Sequence, residues 1–362
     1  LAHYEERLER DLANLREHIA EVAAKVDRAL ADAAQSLIKR DLRLASATIL
    51  GDHPINRATS EVESLCYAFI ARHFPSAGNL RFVSSVLRLM VALERIGDYA
   101  VSISREAIRL SPEAVQAVME DLEMMASQSR QVLTKAMEAF LTGNAELARG
   151  TMSMANLTRS VFHNVYNHLI AEGRKGTRSV EDLFALLIVM YRLERISDQA
   201  KNICEETVFA VTGEVKPPKV FHILFVDERN DCGSLMAEAI ARRMFPDSGT
   251  YESAGWQPAA RLREHLVEFM ARSGYDLASR APRKLEATWE DLRRVHVIVS
   301  LESGAYKRIP ELPFRTVLVE WPMSRQAVGA EEPSEESLEA TYKDLVAKIC
   351  DLMETLRGKV TS

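Results

Sequence analysis

Leu93-Glu94-Arg95-Ile96-Gly97-Asp98-Tyr99-Ala100 returns 100 residues later as Leu193-Glu194-Arg195-Ile196-Ser197-Asp198-Gln199-Ala200. Between 93 and 103, seven of eleven positions are identical to their counterparts, and Leu87 with Leu187 and Met90 with Met190 extend the match. A period this long exceeds a solenoid unit and predicts a duplicated sub-domain. Each copy sets a Glu and an Asp four residues apart, which on a helix puts both carboxylates on one face about one turn apart. Like charges so placed repel by a few tenths of a kcal/mol. Something positive should compensate them, either a cation or neighbouring arginines such as Arg95, Arg192 and Arg195.

Working outward, residues 1–213 read as helix almost throughout. Leu8, Leu12, Leu15, Ile19, Val22, Ala23 and Val26 form one apolar stripe on a first helix running to about Arg40. A second helix over 42–73 is expected to kink or break at Pro54. A turn at 74–79 leads to a third helix, about 80–109, that carries Glu94 and Asp98. Ser111-Pro112-Glu113 opens a fourth, ending near Gly143. A fifth covers about 145–172, and a sixth, 178–211, carries Glu194 and Asp198. The pattern is three helices twice, in repeats of about 1–110 and 111–213, and predicts tandem three-helix bundles.

Composition changes at Thr212-Gly213-Glu214-Val215-Lys216-Pro217-Pro218-Lys219, whose glycine, paired prolines and charges mark a linker over 214–219. Beyond it, over 220–362, short apolar runs alternate with helical stretches. Phe221–Val226, Tyr251–Ser253, His296–Ser300 and Thr316–Glu320 read as strands; about 234–245, 260–274 and 334–357 read as helices. That alternation predicts a small parallel α/β sheet covered on both faces. The whole is a multidomain chain, all-α and then α/β.

The net charge of −6 argues against a nucleic-acid binder. No run approaches 18 apolar residues, so no membrane insertion is expected. The first residue is Leu1, with no basic and apolar leader after it, so the initiating residues are expected to precede it. Cys66, Cys204, Cys232 and Cys350 lie far apart, which suits a reducing, cytoplasmic setting rather than a disulfide framework or a zinc site.

The two Leu-Glu-Arg-Ile-x-Asp-x-Ala segments, with Ala200-Lys201-Asn202-Ile203 and Asp52-His53-Pro54-Ile55-Asn56, resemble the PhoU family of phosphate-uptake regulators over about 1–213. The resemblance implies a six-helix tandem bundle, cytoplasmic and commonly homodimeric. Its implied partners are phosphate ABC transporter components and a Pho sensor histidine kinase. It also implies a divalent or ferric ion, iron or zinc, on Glu94, Asp98, Glu194 and Asp198, with Asp52 and Asn56 in support. Copy two departs from the pattern. It has Met154-Ala155-Asn156-Leu157-Thr158-Arg159 where copy one has Asp52 and Asn56, and Arg159 would oppose a cation. His163 and His168 lie near the same helix and read as solvated or core residues rather than ligands.

The stretch FHILFVDERNDCGSLMAE, 221–238, resembles the phosphate loop of low-molecular-weight protein tyrosine phosphatases and thioredoxin-type arsenate reductases. Ser253-Ala254-Gly255, Gly274-Tyr275-Asp276-Leu277-Ala278 and Val297-Ile298-Val299-Ser300-Leu301 resemble further segments of that family in order, over about 220–358. Such loops combine a thiolate nucleophile, backbone N–H groups at a helix N-terminus and an arginine clamp. Here Asp227 stands at the nucleophile position and Gly233 at the arginine, while Asn230, Cys232 and Ser234 are kept and Arg229 is the loop's one cation. Arg325-Gln326 falls where the general-acid Asp-Pro would be. Cys232 matches a second loop cysteine and reads as a packing residue. The resemblance therefore implies a fold without catalytic residues. The alternative is an enzyme in which Asp227 or Cys232 supports phosphatase or arsenate reductase chemistry.

Overall fold

The computed structural model describes residues 2–358 apart from 117, 177, 217, 278, 287, 310, 311, 314 and 324–332. The chain divides into two compact units, 1–216 and 217–362. In the first, α1 (Ala2–Lys39), α2 (Leu42–Leu50), α3 (Asp52–His73) and α4 (Ala77–Arg109) form one repeat. The other holds α5 (Pro112–Gln116), α6 (Met119–Thr142), α7 (Ala145–Lys175) and α8 (Val180–Thr212). The stripe on α1 is buried from Leu12 to Leu37, as its three- and four-residue spacing requires. Side-chain caps start several of the helices: Asp41 accepts from the Arg43 and Leu44 amides, Asn144 from Leu147 and Ser179 from Asp182.

Two boundaries differ from the sequence expectation. The second helix breaks at Gly51, not at Pro54. A helical proline removes the N–H that the carbonyl four residues earlier would receive and collides with that carbonyl. The disruption therefore falls at Leu50, one turn ahead, and Pro54 sits harmlessly in the first turn of α3. The expected fourth helix is split into α5 and α6. Ser111 caps α5 as expected, its hydroxyl accepting from the Ala114 amide at 3.3 Å, but nothing in residues 113–118 marks the break. The tandem three-helix bundles share one core. α1 packs on α6 and α4 on α8, so one apolar core runs from Leu12 to Val208 through both repeats.

The second unit holds a four-stranded parallel sheet among its described residues, ordered β2-β1-β3-β4: β1 Phe221–Asp227, β2 Gly249–Gly255, β3 Val297–Ser300 and β4 Val317–Glu320. Alternate residues of β1 serve two cores. Ile223 and Phe225 face α9 (Gly233–Met244), α10 (Glu264–Arg272) and α12 (Glu335–Arg357). Leu224 and Val226 pack with Leu285, Ile309 and Leu292 of the short α11 (Trp289–Leu292). Register places the C-terminal end of β1 at the start of the loop that leads into α9. Among the described residues, no helix is long and apolar enough to cross a membrane.

Candidate functional sites

The two carboxylate pairs lie on α4 and α8, the third long helix of each repeat, and their surroundings differ. In copy one, α3 brings Asp52 and Asn56 to the pair. The Asn56 amide donates to Asp52 Oδ2 at 3.0 Å, while Asp52 Oδ1 and Asn56 Oδ1 are buried without a hydrogen-bond partner. Burial pushes the Glu94 carboxyl up, and the charges of Asp98 and Asp52 push it further. Asp98 is also pushed up, first by burial and then by Asp52, against the pull of Arg192 and Arg105. Arg192 lies over the Tyr99 ring at 5.2 Å.

In copy two the negative charge is already met. Under an offset of 103 residues Arg159 takes the place of Asn56 and Ala155 that of Asp52. Arg159 reaches Asp198 Oδ1 at 3.0 Å and Glu194 Oε1 at 3.6 Å, and Arg195 holds Asp198 Oδ2 at 2.8 Å. Glu194 is almost fully buried. Among the described residues no three His, Cys, Asp or Glu side chains are grouped as a metal cage. His163 Nε2 meets the Asn167 side chain at 2.8 Å, and His168 Nε2 lies 4.0 Å from Glu172. Copy two thus does not fit a cation. Copy one keeps two buried oxygens, Asp52 Oδ1 and Asn56 Oδ1, without a hydrogen-bond partner, which are oxygen donors of the hard type.

The loop after β1 is built around Asp227. Its Oδ1 accepts the Asn230 amide at 2.6 Å and its Oδ2 the Ser234 amide at 2.8 Å. Asn230 holds a left-handed backbone, φ 48°. Its side chain donates to Ser234 Oγ at 2.8 Å and accepts from the Arg283 amide at 2.7 Å. Gly255 permits this closeness: a Cβ there would come 2.8 Å from the Asn230 nitrogen. Asp227 is only 1% exposed, and burial pushes its carboxyl up against those hydrogen bonds. The amides that would cradle an oxyanion at the start of α9 are therefore taken by an internal carboxylate.

Arg229, the loop's one cation, is bound to Asp231 at 2.9 Å, and Arg263 also reaches Asp231 at 3.1 Å. Gly233 opens α9 with no side chain to clamp anything. Burial pushes the Cys232 thiol up to about 12, so it stays protonated at neutral pH. Arg325 and Gln326 lie outside the described residues. Sequence reasoning missed three supports of this loop. Glu302 accepts the Glu228 amide at 2.9 Å, Arg263 buttresses Asp231, and Arg308 pairs with Glu228 while lying 5.5 Å from the Trp256 ring centre. All three come from remote segments, and no local spacing announces them.

Residues 19–107 and 122–207 match the family model of the PhoU domain, and residues 222–362 match that of the low molecular weight phosphotyrosine protein phosphatase. The phosphate-specific transport system accessory protein PhoU homolog 1 of Thermotoga maritima is 28% identical over 207 residues, 57% of this chain and 89% of that protein. The crystal structure of PhoU from Pseudomonas aeruginosa matches at 26% identity and a TM-score of 0.54, over 57% of this chain and 99% of that one. The phosphate transport system regulatory protein PhoU from Streptococcus pneumoniae matches at 26% and 0.55, over 58% and 99%.

Proposed function

For a chain that carries PhoU domains in its N-terminal part and a low-molecular-weight phosphotyrosine phosphatase domain in its C-terminal part, we propose a cytoplasmic regulator of phosphate transport whose phosphatase-type domain is catalytically silent. The observation that carries the silent half is Asp227. A buried carboxylate holds the amides that should stabilise transition-state charge, and loss of such a stabiliser alone typically costs about a hundred- to a thousandfold in rate. Protonated Cys232 offers no second nucleophile. The test is aryl-phosphate hydrolysis by the full chain, expected at background. Turnover by wild type that disappears in Asp227→Asn would refute it and restore the enzyme reading.

The regulatory half rests on the duplicated acid helices and on the PhoU matches. Its partners are components of a phosphate transporter and its sensor kinase, and it acts as a homodimer. Phosphate uptake should lose its restraint in phosphate-rich medium when the chain is deleted from its host, and unchanged uptake would remove this role. Light scattering that gives the monomer mass of 40.6 kDa at micromolar concentration would remove the dimer.

The bound ion, divalent or ferric, belongs to copy one. Asp52, Asn56, Glu94 and Asp98 would hold it, and it would supply the positive charge their mutual repulsion calls for. Elemental analysis of protein purified without chelator should find about one ion per chain, lost in Asp98→Ala. Metal content unchanged in that variant would exclude the assignment.

A further inference from the structure

Along the flank of α9 lies a cavity of about 270 Å³ that the loop chemistry does not use. Its charged lining is Glu238, Arg242, Arg243, Asp276 and Arg280, with Leu235 and Leu277 among the apolar wall residues. Three guanidinium groups thus meet two carboxylates, and the acids do not cancel them evenly. Glu238 is buried and fully engaged: Oε1 takes Arg242 at 2.6 Å and Arg280 at 3.4 Å, and Oε2 takes the Ser253 hydroxyl at 2.6 Å. Arg242 is tied back again by the Tyr251 carbonyl at 2.7 Å.

Among the described residues Arg243 makes no ion pair. Its Nη1 donates to the carbonyls of Ser273 at 3.1 Å and Gly274 at 2.7 Å, and its guanidinium lies 4.8 Å from the Tyr275 ring centre. Gly274 makes the turn that presents those carbonyls, at φ 82°. The guanidinium is held in place without being neutralised. Among the described residues, Arg280 spends its charge only on the long contact to Glu238. A guanidinium carries five N–H donors in a planar fork that matches a phosphate edge. Among the described residues, Nε and Nη2 of Arg243 and most donors of Arg280 have no protein acceptor.

We propose that this pocket is a binding site for a small phosphate-type oxyanion, gripped by Arg243 and Arg280 with Arg242 behind them. The anion is either free phosphate or the phosphate of a small monoester whose organic part rests on the apolar wall. The site is separate from the loop at the N-terminus of α9, which Asp227 fills, and it performs no chemistry.

The test is isothermal titration of the full chain with inorganic phosphate, and separately with phenyl phosphate, at low ionic strength. Backbone protection is followed by hydrogen exchange. Both probes should bind, and tighter binding of phenyl phosphate assigns the monoester as the natural class. Arg280→Gln should weaken affinity by about tenfold or more, because a charge-assisted bidentate contact is lost. Arg243→Gln should do the same. Arg280 is half-exposed and makes one long contact, so its variant keeps the fold even if Arg243→Gln loosens the 273–275 turn; circular dichroism confirms this. Protection on binding should appear at 235–243 and 273–280. No heat at about 10 mM of either probe overturns the proposal, as does full affinity in Arg280→Gln or protection confined to 227–234.

Discussion

The acid pairs on α4 and α8 are copies of one motif in opposite electrostatic states. Glu94 and Asp98 face Asp52 and Asn56 from α3; burial drives both carboxyls up, helped at Glu94 by the charges of Asp98 and Asp52 and at Asp98 by that of Asp52. Glu194 and Asp198 face Arg159 from α7, which supplies the missing cation from within the chain. The motif itself decides neither state. Two positions on the neighbouring helix do, Asp52 and Asn56 in one repeat and Ala155 and Arg159 in the other. The loop after β1 repeats the lesson with the signs reversed, since Asp227 supplies from within the chain the anion that the Asn230 and Ser234 amides bind. The two internal occupants differ in commitment. Arg159 is 43% exposed and can be spared, whereas Asp227 is sealed in and two buried amides depend on it.

The largest effect should therefore follow from removing Asp227. Asp227→Ala strands the Asn230 and Ser234 amides, and each unsatisfied buried donor costs about 1–3 kcal/mol. The unfolding transition of the α/β unit in urea should shift by roughly 2–4 kcal/mol, with the helical unit unmoved. A shift within experimental error would break the view of Asp227 as an internal anion.

Removing Arg159 tests the same idea where the occupant is replaceable. Arg159→Ala removes the guanidinium that reaches buried Glu194 and Asp198, while Asp198 keeps its contact to Arg195. Because Arg159 is partly solvated, the stability cost should be only about 1 kcal/mol. The more telling readout is metal content. If copy two lacks a cation because Arg159 replaces it, the variant should take up one ion more per chain than wild type. A variant that stays at the wild-type content would mean that Ala155, in place of Asp52, is what empties the site.

Much of this was legible from residues alone. The duplication, the helical and α/β character of the two parts, and the strand-loop-helix around 221–245 follow from periodicity and from one repeated octapeptide. Arg159 could be flagged because the offset between the second helices brings it opposite Asn56. What escaped was set by contacts between distant segments. The shared core of the two repeats depends on α1 meeting α6 and α4 meeting α8. The role of Asp227 as acceptor of two amides depends on a left-handed Asn230 that no propensity rule picks out. The break after α5 has no local cause at all. An aspartate at 227 is visible in the sequence; that its carboxylate turns inward and accepts two amides is visible only in three dimensions.

The smallest effect concerns copy one without its ion. In chelator, Glu94, Asp98 and Asp52 repel one another, so Asp98→Asn should stabilise the helical unit by a few tenths of a kcal/mol. Its pH dependence gives a sharper test than its size. The folded-state value for Asp98 lies above the ordinary 3.8, so across that window the folded chain binds more protons than the unfolded one. Stability must then fall as pH rises through the window and level off above the folded value. Asp98→Asn removes that contribution, so its melting temperature should decline less steeply than wild type above about pH 4 and exceed it at neutrality. Asp198 is the control, because Arg159 and Arg195 already pair it: Asp198→Asn should destabilise where Asp98→Asn stabilises. Equal signs in the two variants would dissolve the distinction between the copies.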